Sequence, residues 1–303
     1  MRMSFWQALA YLQLSVIAVL CIFTLLFLVV IFHRTSINVI AHRSPPVALL
    51  LCMNLLSTLF VLPGTIVWVL FVTGSIDRSK ESARVLVAFG VFTGCVSLFH
   101  ESILVGVFVQ RICYVLHPFR NPQSIVSTIV GIFITIIAVS GSIVIVVLNV
   151  SSFGKIREIQ EGCYFSYCII DSETFGQKGH LVVKVFFSFL NLIFGAVFLV
   201  ASYDPRSDED PPNIEKTVNL FTKAIVAVHF VVQLLPFFVV LATNLIFRNN
   251  LRPFFGAYMV LTWTLEMFLC NISYKVIFEK RSHSEVLYLE SGSNRVRDIH
   301  THM

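Results

Sequence analysis

The chain has 303 residues, of which 56% are hydrophobic and 13% are charged, and its formal net charge is +5 at pH 7. Its mean hydropathy is +0.83, and phenylalanine alone supplies 29 residues. A soluble domain of this length does not need so much apolar sequence, and the segments between the apolar stretches leave no room for a catalytic or nucleic-acid-binding module. The composition therefore predicts a protein that resides in a lipid bilayer.

Seven apolar stretches are long enough to cross a bilayer core of roughly 30 Å, which takes about 20 helical residues. They must be helices because a chain in lipid has to satisfy its own backbone hydrogen bonds, and they are too long for barrel strands. The predicted fold class is an all-α membrane protein with a seven-transmembrane helix bundle over residues 1–281 and a short tail over 282–303. The predicted helices cover residues 8–32, 47–73, 83–109, 124–148, 180–203, 217–246 and 253–278.

The flanks of the first predicted helix indicate the orientation. This helix is too long for the apolar region of a signal peptide, which has about 7 to 15 residues, so it is expected to be retained. Arg2 precedes it, whereas Arg34 and Arg43 follow it. Because positive charge favours the cytoplasmic side, the amino terminus is predicted outside and the carboxyl terminus in the cytoplasm. Lysine and arginine are otherwise distributed almost evenly between the two sides.

The third predicted helix ends in an arginine at the edge of the hydrocarbon layer. Arg111 lies in the run 110–118, which closes with His117 and Pro118. A charged side chain at this depth is costly unless it faces protein or water, so Arg111 is a functional candidate by default.

The longest predicted loop, residues 150–179, would face the oxidising exterior. It contains Cys163 and Cys168, which predict a disulfide, either a local one between them or one that anchors the loop. Asn149 begins the sequence Asn-Val-Ser just before this loop and is a candidate glycosylation site.

Pro236 interrupts the sixth predicted helix. It follows Phe230 and Leu234, and it removes one backbone hydrogen bond, so the helix can kink there and act as a lever. Proline kinks also occur in membrane helices that do not signal.

The run around Arg111 resembles the rhodopsin-like G-protein-coupled receptors. That family carries Asp-Arg-Tyr at the cytoplasmic end of its third helix, followed six residues after the tyrosine by proline. Arg111, His117 and Pro118 keep this spacing, while Gln110 replaces the acid and Ile112 the tyrosine.

Other helices match the family in part. Asn54 stands where the second helix usually has aspartate, Leu234 replaces the usual tryptophan of the sixth helix, and the run 270–274 resembles Asn-Pro-x-x-Tyr without its proline. This combination is most similar to the divergent nematode serpentine chemoreceptors.

The resemblance implies a chemosensory receptor in the plasma membrane, with sensory cilia as a candidate location. A small odorant-like molecule would bind in the outer half of the bundle, and a heterotrimeric G protein would bind at Arg111 and Pro118, with arrestin as a further partner. Phe230, Leu234 and Pro236 would form the activation hinge.

A pocket wall is predicted on the third helix. Thr93, Ser97 and Glu101 recur every four residues and so share one face, with glycines nearby. Thr93 and Ser97 are candidate ligand contacts. The alternative is that their hydroxyls bond to their own helix or to a neighbour.

Charged groups deep in the bundle predict a buried polar cluster of Asn54, His100, Glu101 and Glu266, because ionisable groups are expensive there. One hypothesis is that protonation of a carboxyl group biases the active state. The alternative, given equal weight, is a structural hydrogen-bond network that includes His229 and does not titrate near neutral pH.

Two other classes of membrane protein remain open: a small-solute transporter and a ligand-gated channel subunit. Neither explains Arg111 together with Pro118, and no internal repeat indicates a transporter. The chain has no His-Glu-x-x-His or Gly-x-Ser-x-Gly motif, so no enzyme activity, cofactor, metal or nucleic-acid partner is predicted.

Overall fold

A computed structural model shows an all-α chain, with helices and connecting turns in the residues that it describes. These residues are 4–116, 129–147 except 131, 134, 138 and 145, the isolated positions 156, 159, 163, 164 and 169, and 175–203, 213–247 and 257–278. The helices are α1 (Phe5–Arg34), α2 (Ile37–Arg43), α3 (Pro45–Val72), α4 (Lys80–Leu116), α5 (Phe175–Ala201), α6 (Asn213–Val228), a π-helix (His229–Leu234), α7 (Leu235–Phe247) and α8 (258–278).

Five of the described helical segments are long and apolar enough to cross a membrane. Three of them are α1, α3 and α4, and the others are Val182–Ala201 in α5 and Lys216–Thr243, which runs through the π-helix. Many large apolar side chains on these helices point away from the bundle, as a surface in contact with lipid requires. The chain is therefore a multi-pass helical membrane protein, and the all-α prediction is confirmed.

The count of seven membrane spans stays a prediction. Residues 258–278 are helical, but α8 is not among the five candidates. The fourth predicted helix, 124–148, lies partly outside the described residues, and those of its residues that are described are helical.

One predicted boundary differs clearly from the structure. The third helix was expected to end at residue 109, where the apolar run stops, but α4 continues to Leu116. Gln110 and Arg111 are buried against protein, so the helix does not have to end where the sequence becomes polar.

Serine and proline define two helix starts. Ser4 Oγ accepts a hydrogen bond from the backbone N–H of Gln7 at 3.2 Å, which caps the first turn of α1. Ser44 has extended backbone angles, as expected for a residue before proline, and Pro45 then begins α3, where a missing N–H costs nothing.

The turn between α3 and α4 is organised by its own side chains. Gly74 has a φ of 82° and ends α3, since glycine adopts this left-handed conformation without steric cost. Ser82 and Ser79 donate hydrogen bonds to Asp77 Oδ1 at 2.7 and 3.1 Å. These bonds lower the pKa of the Asp77 carboxyl group.

The bundle has two main regions of packing. One, the cavity half, contains the first halves of α1 and α4, the end of α3, the start of α8 and the loop residues Ile156, Ile159, Cys163 and Tyr164. The other, the arginine half, contains the end of α1, the start of α3, the second half of α4, most of α6 and the end of α8. The predicted orientation would make the cavity half extracellular.

Candidate functional site

A cavity opens among α1, α3, α4, α5 and α8 in the cavity half. Its volume is about 90 Å³, which is room for several waters or a small organic molecule. Its wall is mostly apolar or aromatic, with a few polar side chains. The lining residues are Leu14, Ile17, Val61, Gly64, Thr65, Trp68, Phe89, Gly90, Thr93, Gly94, Ser97, Lys184, Ala257, Met259, Val260 and Trp263.

The two predicted ligand contacts on α4 both lie in this wall. Thr93 and Ser97 are one helical turn apart, with Gly90 and Gly94 beside them, and the small side chains leave space at this level of the bundle. The Ser97 hydroxyl donates to the carbonyl of Gly94 at 3.1 Å. The Ser97 hydroxyl is thus bonded to its own helix, which is the alternative that the sequence left open. Its oxygen can still accept a further hydrogen bond.

Glu101 lies one turn further along α4 and is held by amide groups from two other helices. Asn191 Nδ2 on α5 donates to Glu101 Oε2 at 2.7 Å, and Gln233 Nε2 on the π-helix donates to Glu101 Oε1. Glu101 is 2% exposed. A buried carboxylate needs such charge-assisted bonds because it has lost its hydration.

His229 joins the two buried carboxyl groups. Its Nδ1 lies 2.7 Å from Glu266 Oε1 on α8, and its Nε2 lies 3.7 Å from Glu101 Oε2. His100 is fully buried next to them, and its ring packs edge-on against Trp263 with 6.1 Å between the ring centroids. The carboxylate–imidazole–carboxylate row links α4, the π-helix and α8, so it can hold a proton or pass one between its members.

The π-helix gives the cluster two of its side chains. It spans His229–Leu234, and the backbone N–H of Leu235 bonds to the carbonyl of Phe230, five residues earlier. Pro236 follows at once and cannot donate to the carbonyl four residues before it, so the local hydrogen-bond ladder is already broken. π-helical turns often occur at functional sites.

The predicted hinge residues lie around this turn in different environments. Leu234 is buried, Phe230 is 43% exposed, and Pro236 is half-buried. Phe230 therefore faces away from the bundle, and Phe237 is the buried aromatic side chain of this region.

Asn54 forms a pair separate from the carboxyl groups. Its Nδ2 donates to Asn271 Oδ1 on α8 at 3.1 Å, and both residues are fully buried. The structure thus joins Glu101 and Glu266 through His229, whereas Asn54 ties α3 to α8.

Arg111 is buried at the far end of α4, with 3% of its surface exposed. Its Nη2 donates to Ser44 Oγ at 3.3 Å, and Ser44 Oγ donates in turn to Gln110 Oε1 at 3.3 Å. The guanidinium carbon lies 4.9 Å from the centre of the Tyr114 ring. The arginine is thus held against the start of α3 by polar and cation–π contacts.

Several site residues could not be assigned from the sequence. Asn191 and Gln233 each form a charge-assisted bond with Glu101, and Lys184 and Trp263 line the cavity. The spacing of Gln233 four residues after His229 was an available signal, because it predicts one shared helical face. A lone asparagine or lysine in an apolar stretch carries no comparable signal about its partner.

The remaining predicted sites lie partly beyond the described residues. Cys163 is disulfide-bonded and buried in the cavity half. Cys168, Pro118 and Asn149 lie outside the described residues, so their predicted roles stay predictions. Within the ranges that the structure describes, no group of three or more His, Cys, Asp or Glu side chains is arranged to hold a metal ion.

Comparison of the sequence with models of known protein families finds no matching family, and comparison with curated proteins finds no significant match.

Proposed function

We propose that this chain is a chemosensory receptor that binds a small, odorant-like ligand in the cavity and activates a heterotrimeric G protein at the Arg111 end of the bundle. The observation that carries the proposal is the buried contact of Arg111 with Ser44 and Tyr114. A guanidinium group with a full charge is costly there unless its partners compensate for the lost hydration, so an arginine at this buried position favours a functional role.

One helix connects the three parts of the proposed device. Thr93 and Ser97 border the cavity, Glu101 lies in the polar cluster and Arg111 lies at the other end of α4. At 1.5 Å per residue, Glu101 is about 12 Å from Thr93 and about 15 Å from Arg111 along the helix axis. A shift or rotation of α4 would therefore reach all three parts.

The proposed activation step is a change in population between two states. In the closed state Arg111 contacts Ser44 and Tyr114. In the open state the π-helix and α6 move outward, and the guanidinium group meets the G protein α subunit. A ligand promotes this change only if it binds the open state more tightly than the closed state.

A second-messenger assay tests the proposal. Cells expressing the chain are exposed to an odorant panel and compared with cells expressing Arg111→Ala at equal surface level. We expect Arg111→Ala to abolish the response. The matched control is Arg84→Ala, which removes an exposed arginine near the other end of the same helix and should leave the response intact. An unchanged response in Arg111→Ala would refute the proposed coupling.

A small-solute transporter is the second candidate, and the row of Glu101, His229 and Glu266 favours it. Chains of carboxyl and imidazole groups carry protons in transporters and pumps. Ligand-dependent uptake or current in membranes without a G protein would support this candidate, and uptake that requires Glu266 would link it to the cluster.

The proposed partners are a small-molecule ligand, a heterotrimeric G protein and arrestin. The proposed location is the plasma membrane, including that of sensory cilia, and localising a tagged chain would test this. We propose seven spans with the amino terminus outside, which protease accessibility of tags at both termini would check.

A further inference from the structure

We propose that the cavity selects small organic anions, specifically carboxylates attached to an apolar or aromatic body, through Lys184. This inference rests on the proposed function, since it names the ligand class of the same cavity, but its test requires no signalling. The structural basis is a cationic side chain in a wall that is otherwise apolar, hydroxyl-bearing or aromatic.

The position of Lys184 in the bundle follows from its distance to Asn191. Asn191 bonds to Glu101, and Lys184 precedes Asn191 by seven residues on α5. Two helical turns cover about 10 Å, so Lys184 lies that far from the cluster in the direction of the cavity. On α4, the residue seven positions before Glu101 is Gly94, which lies beside Thr93 and Ser97. Lys184 is therefore at the same level of the bundle as these residues and lines the cavity with them.

The charge of Lys184 has no direct counter-ion in the described part of the chain. No described carboxylate oxygen lies within 4 Å of its Nζ. The Nζ atom lies 5.9 Å from the centre of the Phe237 ring, a weak contact at best. Glu101 and Glu266 already have closer partners in Asn191, Gln233 and His229.

A cation without a contacting anion is costly in a low-dielectric bundle, and an anion bound in the cavity would relieve this cost. An ammonium group offers three hydrogen-bond donors and no acceptor. It therefore selects carboxylates over amides, and amides over amines.

A second donor in the wall points to the same chemistry. The indole N–H of Trp263 is buried and has no hydrogen-bond partner among the described residues, and Trp263 lines the cavity. An indole can only donate, so the unsatisfied groups of Lys184 and Trp263 both require an acceptor. Trp68 and Phe89 provide aromatic surface for the apolar part of the ligand.

The test compares three molecules that share one ring and differ in charge: phenylacetate, phenylacetamide and phenethylamine. Binding of each to the purified full chain in lipid nanodiscs is measured by saturation-transfer NMR titration, with empty nanodiscs subtracted. We expect phenylacetate to bind about 10- to 100-fold more tightly than phenylacetamide, since a charge-assisted hydrogen bond supplies this difference. Phenethylamine should bind most weakly.

Variants of Lys184 assign the preference to this residue. Lys184→Met should remove the preference for the anion, and Lys184→Arg should keep it because the charge remains. The matched control is Lys223→Met. Lys223 is also half-buried, and its Nζ lies 4.5 Å from the centre of the Tyr203 ring, but it does not line the cavity. It should bind phenylacetate as the parent does.

The outcomes separate this inference from the proposed function. Equal binding of the three probes, tighter binding of the amine, absence of phenylacetate binding, or an unchanged preference in Lys184→Met would each overturn the inference. Anion-selective binding through Lys184 without a second-messenger response would support the inference and count against the receptor proposal.

Discussion

The cavity half and the arginine half of the bundle are built from different side chains. Where α3 and α4 face the cavity, the wall includes Gly64, Gly90 and Gly94, and space remains between the helices. In the arginine half, Phe221 packs against Tyr274 with 5.5 Å between ring centroids, and Tyr274 stacks on Phe278 at 4.4 Å. One half thus has room for a guest molecule, and the other is filled by its own side chains.

This difference shows how a single bundle can be adaptable at one end and close-packed at the other. Lipid chains are as apolar as leucine, so helices associate in a membrane mainly through packing and interhelical polar contacts. The cavity half gives up some of this packing. The layer of Glu101, His229 and Glu266 provides polar contacts between α4, the π-helix and α8 near the level where the two halves meet.

The largest expected effect is on the layer between the halves. His229→Leu would leave two buried carboxyl groups without their shared imidazole, and breaking a buried ionic contact costs about 3 to 5 kcal/mol. We expect a loss of this size in the free energy of unfolding, measured by denaturation in nanodiscs. His33→Leu, at an exposed histidine of α1, is the control and should change little. A stable His229→Leu variant would mean that the halves do not depend on this layer.

The next prediction compares the loss of stability when one phenylalanine from each half is replaced by alanine. Phe221→Ala should lower the free energy of unfolding by about 3 kcal/mol because it opens a new void among packed rings. Phe89→Ala should cost about 1 kcal/mol, since the Phe89 ring already borders the cavity and loses fewer contacts. The same measurement applies to both. Equal losses would contradict the difference in packing.

A smaller effect is expected for the amide pair that joins α3 to α8. Asn54→Ala removes the bond to Asn271 and should cost about 1 kcal/mol, because interhelical hydrogen bonds in membranes are modest. If this bond accounts for the loss, Asn271→Ala should lower the free energy of unfolding less in the Asn54→Ala variant than in the parent chain, as a double-mutant cycle would show. Full additivity would argue against the pair.

The smallest effect on stability is expected at the cavity wall. Ser97→Ala removes a hydroxyl that bonds within its own helix, so the free energy of unfolding should change by about 0.5 kcal/mol or less. A ligand that carries a hydroxyl group besides its carboxylate should bind more weakly to Ser97→Ala, because the serine oxygen can accept from that hydroxyl, which phenylacetate lacks. A variant with unchanged binding would remove Ser97 from the contact surface.

Sequence reasoning predicted the local features well where the physical constraint was local. A long apolar run in lipid must be helical, because the backbone there has to satisfy its own hydrogen bonds. The cost of buried charge also singled out Glu101 and Glu266 before their partners were known. α4 continues seven residues past the predicted end of the third span, because burial of Arg111 depends on neighbours distant in sequence.

The sequence by itself determined that this chain is a helical membrane protein, because hydrophobic length and backbone hydrogen bonding leave no other choice in lipid. Only the tertiary structure decided that Asn191 and Gln233 bind Glu101, that His229 joins two carboxyl groups and that Lys184 faces a cavity. These contacts depend on how each helix is rotated and shifted against its neighbours. A π-helical turn adds about one residue to the helix and so rotates the side chains beyond it by about 100°. Nothing in the local sequence pattern specifies this rotation.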